Sequence, residues 1–219
     1  MSTRITTTID LANKIDDEFS WRRKELTLIK SKIPTEINSW QSAMIRTSIP
    51  ILYAHWEGFI KLAMSYYLEF VSNKYLKHNE LNSKFIALSL QNKIGELNIN
   101  SFGTKVKTID FLFSEFSKRS NIPKKNIINT KSNLSFDVLK EILFILDLDD
   151  KHFDSQKDLI DSLVDVRNHI AHGEYKLMDY KTCLEFFVDI ISLMEYVKTV
   201  IENNALLQKY KVPTRTSPS

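Results

Sequence analysis

The stretch "SQKDLIDSLVDVRNHIAHG", residues 155–173, decides the fold of this chain. Its apolar residues recur every three or four positions, which is the spacing of one face of a helix; they are Leu159, Leu163, Val166 and Ile170. Ser155, with Asp158 three residues later, is a near match to a capping box, so we expect the helix to begin there. Gly173 is typical of the residue that ends a helix. The stretch therefore predicts an amphipathic helix that stops just before Gly173.

The rest of the chain has the composition of a helical protein. It holds only four glycines and five prolines in 219 residues, and 43% of its residues are hydrophobic. Spacing of apolar residues predicts long helices over about 8–31 and 179–203, a short one over 136–146, and another long one that ends at about Leu76. That last helix starts either near Trp40 or after Pro50. Residues 80–120 are predicted to form two shorter helices broken near Gly103, and residues 121–135 a polar loop. We therefore predict an all-α, up-and-down helical bundle, with one domain over residues 1–210 and a flexible tail over 211–219.

Several features argue against secretion and membrane insertion. The N-terminal segment has no apolar core of the kind found in secretory signals. No uncharged apolar run approaches the ~18 residues that a membrane span needs. The single cysteine, Cys183, excludes an internal disulfide and suits a reducing compartment. We expect a cytoplasmic protein that has no membrane partner.

The polar residues of "RNHIAH" (167–172) stand out on this helix. Arg167 shares a row with Ile160, Val164 and Ala171, so its charge must snorkel to solvent, pair with a carboxylate or face another charged surface. Asp161 and Asp165 are candidate partners, which would make its role structural. On an unbroken helix, residues five apart point about 140° away from each other, so Arg167 and His172 would not meet at one small ligand. The two side chains meet only if the helix ends at His172, or if a second protein chain contributes its own copy of the motif.

"RNHIAH" fits the RxxxxH signature, in its RN-xx-AH form, of the HEPN superfamily (higher eukaryotes and prokaryotes nucleotide-binding domains), which this chain resembles. "LYAHWEGFIKLAMSYYLEFV" (52–71) also looks like the second long helix of a prokaryotic subfamily. The resemblance covers about residues 8–205. It implies a metal-independent RNA endonuclease that acts as a homodimer, often as a toxin with a cognate antitoxin or in phage defence. Some members of the family carry an acidic residue four positions before the motif arginine and a basic residue directly before it. This chain has Leu163 and Val166 at those positions.

Carried over by position, Arg167, Asn168 and His172 are the catalytic residues of that motif, and their side chains suit the reaction. Metal-free cleavage needs a group that moves protons, and histidine titrates near neutrality. It also needs a donor that steadies charge on the phosphate, which the guanidinium fork provides. Asparagine can hold the histidine or donate to the phosphate. We expect no cofactor and no metal, and we expect His169 to be a neighbour of the site instead of a catalyst.

The basic residues are unevenly distributed along the chain. Residues 74–131 carry a net charge of +7, and residues 132–180 carry −6. Lys118, Arg119, Lys124 and Lys125 are therefore candidates for binding RNA. A solvated surface whose two halves attract each other would show the same pattern.

Two further expectations concern the assembly of the protein and its class. The first rests on the helix over 155–172. Its second apolar row, Ile160, Val164 and Ala171, exceeds what one core face needs and predicts a homodimer interface. A non-catalytic helical module that binds nucleotide, RNA or a partner protein is the alternative to a ribonuclease, because only activity separates the two.

Overall fold

The computed structural model describes residues 4–95, 101–148, 151–176 and 178–213, and these ranges contain helices, turns and loops but no strand. The predicted all-α bundle is confirmed. Its helices are α1 (Thr8–Lys32), α2 (Ser39–Ser72), α3 (Ser83–Gly95), α4 (Phe102–Phe116), α5 (Phe136–Ile145), α6 (Lys151–Asp154), α7 (Lys157–Ala171) and α8 (Tyr180–Leu206), with a 3-10 turn at His78–Glu80.

The core lies where α1, α2 and α8 pack against one another, with α7 against α2. Each of these four helices turns an apolar stripe inward, as its sequence period predicts. Trp56 and Phe59 of α2 and Phe187 of α8 are fully buried at the centre. Cys183 is also buried, and this burial raises the pKa of its thiol to about 11, so the thiol stays protonated and unreactive near neutral pH.

The long helix α2 begins before its proline. The side chain of Asn38 caps the helix by accepting a hydrogen bond from the backbone N–H of Gln41 at 2.9 Å. Pro50 then lies inside the helix, where it removes one backbone donor. Of the two starts that the sequence left open, the one near Trp40 is correct. Packing of the apolar residues on both sides of Pro50 offsets the lost bond, since Ile49 and Leu52 are fully buried.

The segment between α2 and α5 contains two short helices and a loop, as predicted. The break falls before Gly103, because Gly103 lies in the first turn of α4 and Ser101 caps that helix. The loop at 121–135 is anchored to the bundle by three buried apolar side chains: Ile122, Ile128 and Leu134. Its last residues, 132–134, contact α7 and α2 and so become part of the candidate site.

Two expectations about α7 are wrong. The helix begins at Lys157 with Gln156 as its cap, and the hydroxyl of Ser155 donates instead to the carbonyl of His152 at 2.8 Å. The capping box fails because a short helix, α6, ends just before it. The second apolar row is not a spare surface, because Ile160 and Val164 are 0% and 7% exposed within the chain itself. Helix α7 packs against both α2 and α5, and two neighbours bury two rows.

The chain after α8 returns to the bundle. Tyr210 is buried edge-on against Phe70, and Lys211 pairs with Leu81 in an isolated bridge. The first residues of the predicted tail are therefore held by hydrogen bonds, and residues 214–219 of that tail lie outside the described ranges. Within those ranges, no helix combines the length and the apolar character needed to cross a membrane.

Candidate active site at the end of helix α7

The C-terminal end of α7 closes in a Schellman motif. The backbone N–H of Gly173 donates to the carbonyl of Ile170 at 3.0 Å, and that of Glu174 donates to the carbonyl of His169 at 2.9 Å. Gly173 adopts φ +79°, a conformation that favours glycine, as the sequence predicted. His172 is the C-cap residue and is exposed to solvent. The helix therefore ends where a site shared by Arg167 and His172 requires it to end.

Arg167 is held by the rest of the bundle. Its guanidinium lies 4.0 Å above the ring of Tyr53 on α2, and its Nη2 donates to the carbonyl of Ser132 at 2.9 Å. Its Nε is buried and has no partner in the described chain. Stacking on an aromatic ring fixes the plane of a guanidinium without neutralising its charge. Arg167 is thus a preorganised cation that forms no ion pair with a carboxylate among the described residues.

The ion pairs that we considered between Arg167 and the two aspartates of α7 are not formed. Asp161 accepts a hydrogen bond from the backbone N–H of Phe136 at 2.9 Å, at the start of α5. Asp165 contacts the ammonium of Lys176, and this hydrogen bond lowers the pKa of the carboxyl. Neither carboxylate pairs with Arg167, because each has a partner elsewhere.

Tyr53 connects three parts of the site. Its ring supports Arg167, and its hydroxyl oxygen accepts the backbone N–H of Leu134 at 2.6 Å. Burial raises the pKa of this phenol above its ordinary value. One side chain therefore fixes the loop at 132–134 and the guanidinium together. Sequence reasoning missed Tyr53, since nothing in the spacing of α2 distinguishes it from a core aromatic residue.

The two other polar residues of the motif differ in their surroundings. Asn168 donates to the side-chain oxygen of Asn133 at 3.4 Å, so it joins the same loop that Arg167 contacts. His169 has different partners, because its ring nitrogens meet Asp165 at 3.3 Å and Glu174 at 3.4 Å. Its contacts close the helix end, in agreement with the role of a neighbour.

A second cation lies near the end of α7. Arg46 of α2 stacks on the ring of Tyr175, three residues after His172, at 5.1 Å. Its Nη1 is buried without a partner in the described part of the chain. Arg46 and Tyr53 are seven residues apart, two turns of the same helix. Helix α2 therefore contributes one guanidinium and supports another along the end of α7, a feature that the sequence alone did not reveal.

The four predicted RNA-binding residues do not line one common cavity. Lys118 forms an ion pair with the buried Glu115 at 2.8 Å. Arg119 lines a cavity of about 310 Å³ that also contains His78. Lys124 and Lys125 line a separate cleft of about 530 Å³.

That second space, which we call the lysine cleft, also contains Lys61 of α2 and has no carboxylate in its lining. Tyr53, Glu57 and Lys61 occupy successive turns of α2, so Lys61 lies about 12 Å along the helix from the support of Arg167. Glu57 forms no ion pair with Arg167 or Lys61 within the described residues, but its charge contributes to the raised pKa of Tyr53. Helix α2 thus contributes Lys61 to the cleft and Tyr53 to the support of Arg167.

The described residues contain no group of three or more histidine, cysteine or carboxylate side chains arranged to hold a metal ion.

An all-helical bundle with an Arg-x4-His motif at the end of a packed helix defines the HEPN class that the sequence resembles. The family model of RiboL-PSP-HEPN matches residues 17–203, and the chain belongs to this family. Comparison with curated proteins gives no match, and comparison with solved structures gives none.

Proposed function

We propose that this protein is an RNA endonuclease that cleaves without a metal ion, by attack of the RNA's own 2′-hydroxyl. The observation that supports it best is the combination of a solvent-exposed His172 at the end of α7 with an Arg167 held on Tyr53. The guanidinium plane is fixed while its buried Nε stays unpaired within the described residues, an arrangement that is costly to maintain for stability alone. Family membership supports a nucleotide-binding or ribonuclease-like module, and cleavage is our own step beyond it.

The proposed reaction uses groups of this chain. A base removes the proton from the 2′-hydroxyl, and the 2′-oxygen attacks the adjacent phosphorus. The bond from phosphorus to the 5′-oxygen then breaks, and that oxygen takes up a proton, leaving a 2′,3′-cyclic phosphate. His172 carries a proton in this sequence, the Arg167 guanidinium donates to a phosphate oxygen, and Asn168 holds the phosphate or the imidazole.

We propose that the active form is a homodimer. The reaction moves two protons, whereas His172 is the one proton carrier that each chain brings from the motif. A two-fold axis near the ends of two α7 helices would place two His172 and two Arg167 side chains in one cleft. With Ile160 and Val164 buried in the core, the contact that we propose lies at the end of α7, where Ala171 and His172 are exposed.

We further propose that RNA passes through the lysine cleft. Replacing Lys124 and Lys125 together with alanine should weaken binding of all RNA sequences alike. The slope of log affinity against log salt should become shallower by roughly 0.7 for each phosphate that is no longer neutralised. Lys181 of α8, an exposed lysine outside the cleft, is the control whose replacement should leave the slope unchanged. An unchanged slope in the double variant would remove this cleft from the RNA path.

The test of cleavage uses the full chain, excess EDTA and two substrates, one of RNA and one with 2′-deoxy sugars throughout. Wild-type protein should cleave only the RNA. His172→Ala should reduce the rate by ~10²–10⁴-fold, the usual contribution of a general acid or base. Arg167→Lys should fail about as badly as Arg167→Ala, because a point charge does not reproduce the guanidinium fork.

His169→Ala is the matched control for these variants. It removes an imidazole from the same stretch, but one already paired with Asp165 and Glu174, so cleavage should persist. A requirement for metal, or cleavage of the deoxy substrate, would overturn the mechanism. RNA binding without cleavage by the wild-type protein would instead identify the non-catalytic binding module.

We also propose a toxin or phage-defence role with a cognate antitoxin, because that is the common setting of the motif the chain resembles. Expression in a bacterial host should stop growth, and expression of His172→Ala at equal level should not. Equal arrest by both proteins would contradict a toxin that acts through this site.

A further inference from the structure

Helix α4 turns its apolar side away from the bundle. Five apolar residues recur at positions that fall within about 80° of one another around the helix. All are exposed despite their size: Phe102 by 82%, Val106 by 42%, Ile109 by 51%, Phe113 by 66% and Phe116 by 38%. We call this set the α4 stripe. It is the reverse of what an ordinary surface helix does, since such a helix faces its apolar side inward.

The inward side of α4 combines the half-buried Phe111 and Leu112 with polar contacts. Its one buried residue is Glu115, whose carboxylate pairs with Lys118 at 2.8 Å and with Lys93 of α3 at 3.4 Å. The backbone carbonyl of Glu115 lies 2.8 Å from Nδ1 of the buried His78. These contacts fasten the C-terminal end of α4 to the bundle, while its apolar side remains uncovered by the described residues around it. The side of α4 that faces the bundle at this end is therefore set by specific bonds to Glu115.

The α4 stripe has the length and area that a single partner helix would cover, and it is smaller than an interface between two folded proteins. It extends over four turns, about 21 Å. Its three phenylalanines alone expose on the order of 300–450 Å², at 150–250 Å² for a whole aromatic side chain. This is about the size of the largest apolar patch on a typical monomer, and such a patch is often functional. A stable dimer needs roughly 800 Å² from each chain, which the stripe does not supply.

The charges around the stripe indicate what kind of helix would bind. Helix α4 and the residues that follow it, 101–119, carry more basic side chains than acidic ones. Lys118 pairs with Glu115, and the remaining charges are those of Lys105, Lys107 and Arg119 against Asp110. Docking of a second copy would bring two such regions together, which like charges oppose. An acidic surface is complementary.

We propose that the α4 stripe is the docking site for an acidic amphipathic helix of another protein. The apolar face of that helix would cover the phenylalanines, and its flanking carboxylates would meet the lysines, as in other helix-in-groove complexes. The proposal does not depend on RNA cleavage, because the stripe shares no residue with the end of α7.

The test is a selection from a displayed library of 18-residue peptides, performed on the full-length protein. Each peptide carries apolar residues at helical spacing (i, i+3, i+4, i+7, i+11), with Glu, Lys or Gln at every other position. Peptides rich in Glu should be enriched. Their resynthesised forms should bind Phe113→Ser about tenfold or more weakly than wild type, because a central aromatic anchor contributes most to such contacts.

Phe144 provides the matched control, since it lies on α5 and is 66% exposed, like Phe113. Phe144→Ser should bind the selected peptides as wild type does, and both variants should unfold at the wild-type urea concentration. The proposal is overturned if no peptide is enriched on wild type over Phe113→Ser, or if the enriched peptides carry no excess of Glu. It is also overturned if Phe113→Ser abolishes self-association or binding to anionic lipid vesicles, which would assign the stripe to a second copy or to a membrane.

Discussion

Replacing Tyr53 with phenylalanine removes one oxygen atom from the centre of the candidate site and keeps the ring that supports Arg167. That oxygen accepts the backbone N–H of Leu134 at 2.6 Å, and Leu134 is fully buried. Without the acceptor a buried donor is left unpaired, which costs about 1–3 kcal/mol of unfolding free energy. We therefore expect Tyr53→Phe to be clearly less stable than wild type.

Tyr67, fourteen residues later on the same helix, should behave in the opposite way. It is fully buried, its hydroxyl has no partner within the described residues, and burial raises the pKa of its phenol. Removing a buried hydroxyl that has no hydrogen bond removes a cost of about 1–3 kcal/mol. Tyr67→Phe should therefore be as stable as wild type or more stable, although the chemical change is identical.

Urea unfolding followed by circular dichroism measures both variants. With a slope of about 2–3 kcal/mol per molar, a decrease of about 2 kcal/mol in unfolding free energy lowers the midpoint by roughly 0.7–1 M. Amide hydrogen exchange at Leu134 should also become faster in Tyr53→Phe. A Tyr53→Phe midpoint equal to that of wild type, or an equal decrease in both variants, would refute the assignment of this hydrogen bond.

Two other predictions concern the ends of helices. Gly173→Ala should lower the unfolding free energy by about 1–2 kcal/mol, because φ is +79° while a Cβ there meets no atom within 4 Å. Gly103→Ala, at a position where φ is ordinary, is the control and should not destabilise the protein. Equal urea midpoints for the two variants would contradict the reasoning. Backbone N–H groups at the start of α1 lower the pKa of Asp10 to about 2. Its folded pKa is depressed, so the stabilisation it gives α1 is present above pH ~4 and is lost as pH falls towards about 2. An NMR titration of the Asp10 carboxyl with a midpoint near ~4 would disprove this.

The helices and the end of the motif helix could be predicted from sequence because they depend on local information. Apolar spacing located α1, α2, α5 and α8, and Gly173 located the end of α7. The start of α7 could not be predicted, because the hydroxyl of Ser155 donates to the carbonyl of His152 in a neighbouring short helix. A capping signal fails when another turn competes for the same hydroxyl.

The surroundings of the site could not be predicted, because they depend on contacts between distant segments. A row such as Ile160 and Val164 fits an interface or a second core contact equally well until the neighbours of α7 are known. Likewise, Tyr53 looks like one more aromatic residue of a buried stripe. Its role follows from Arg167 and Leu134, which meet it only in the folded chain.

The packing of α2 against α7 and α8 also bears on how the protein is made. The ring of Tyr53 emerges from the ribosome well before the guanidinium that rests on it, because Arg167 lies far along the chain. Contacts between such distant segments form late, and α1 and α2 have apolar surface uncovered until α8 has been synthesised. A nascent chain that stops before α8 would therefore lack a closed core. Tyr53 and Arg167 are thus both synthesised before the helix that closes the core beside α2.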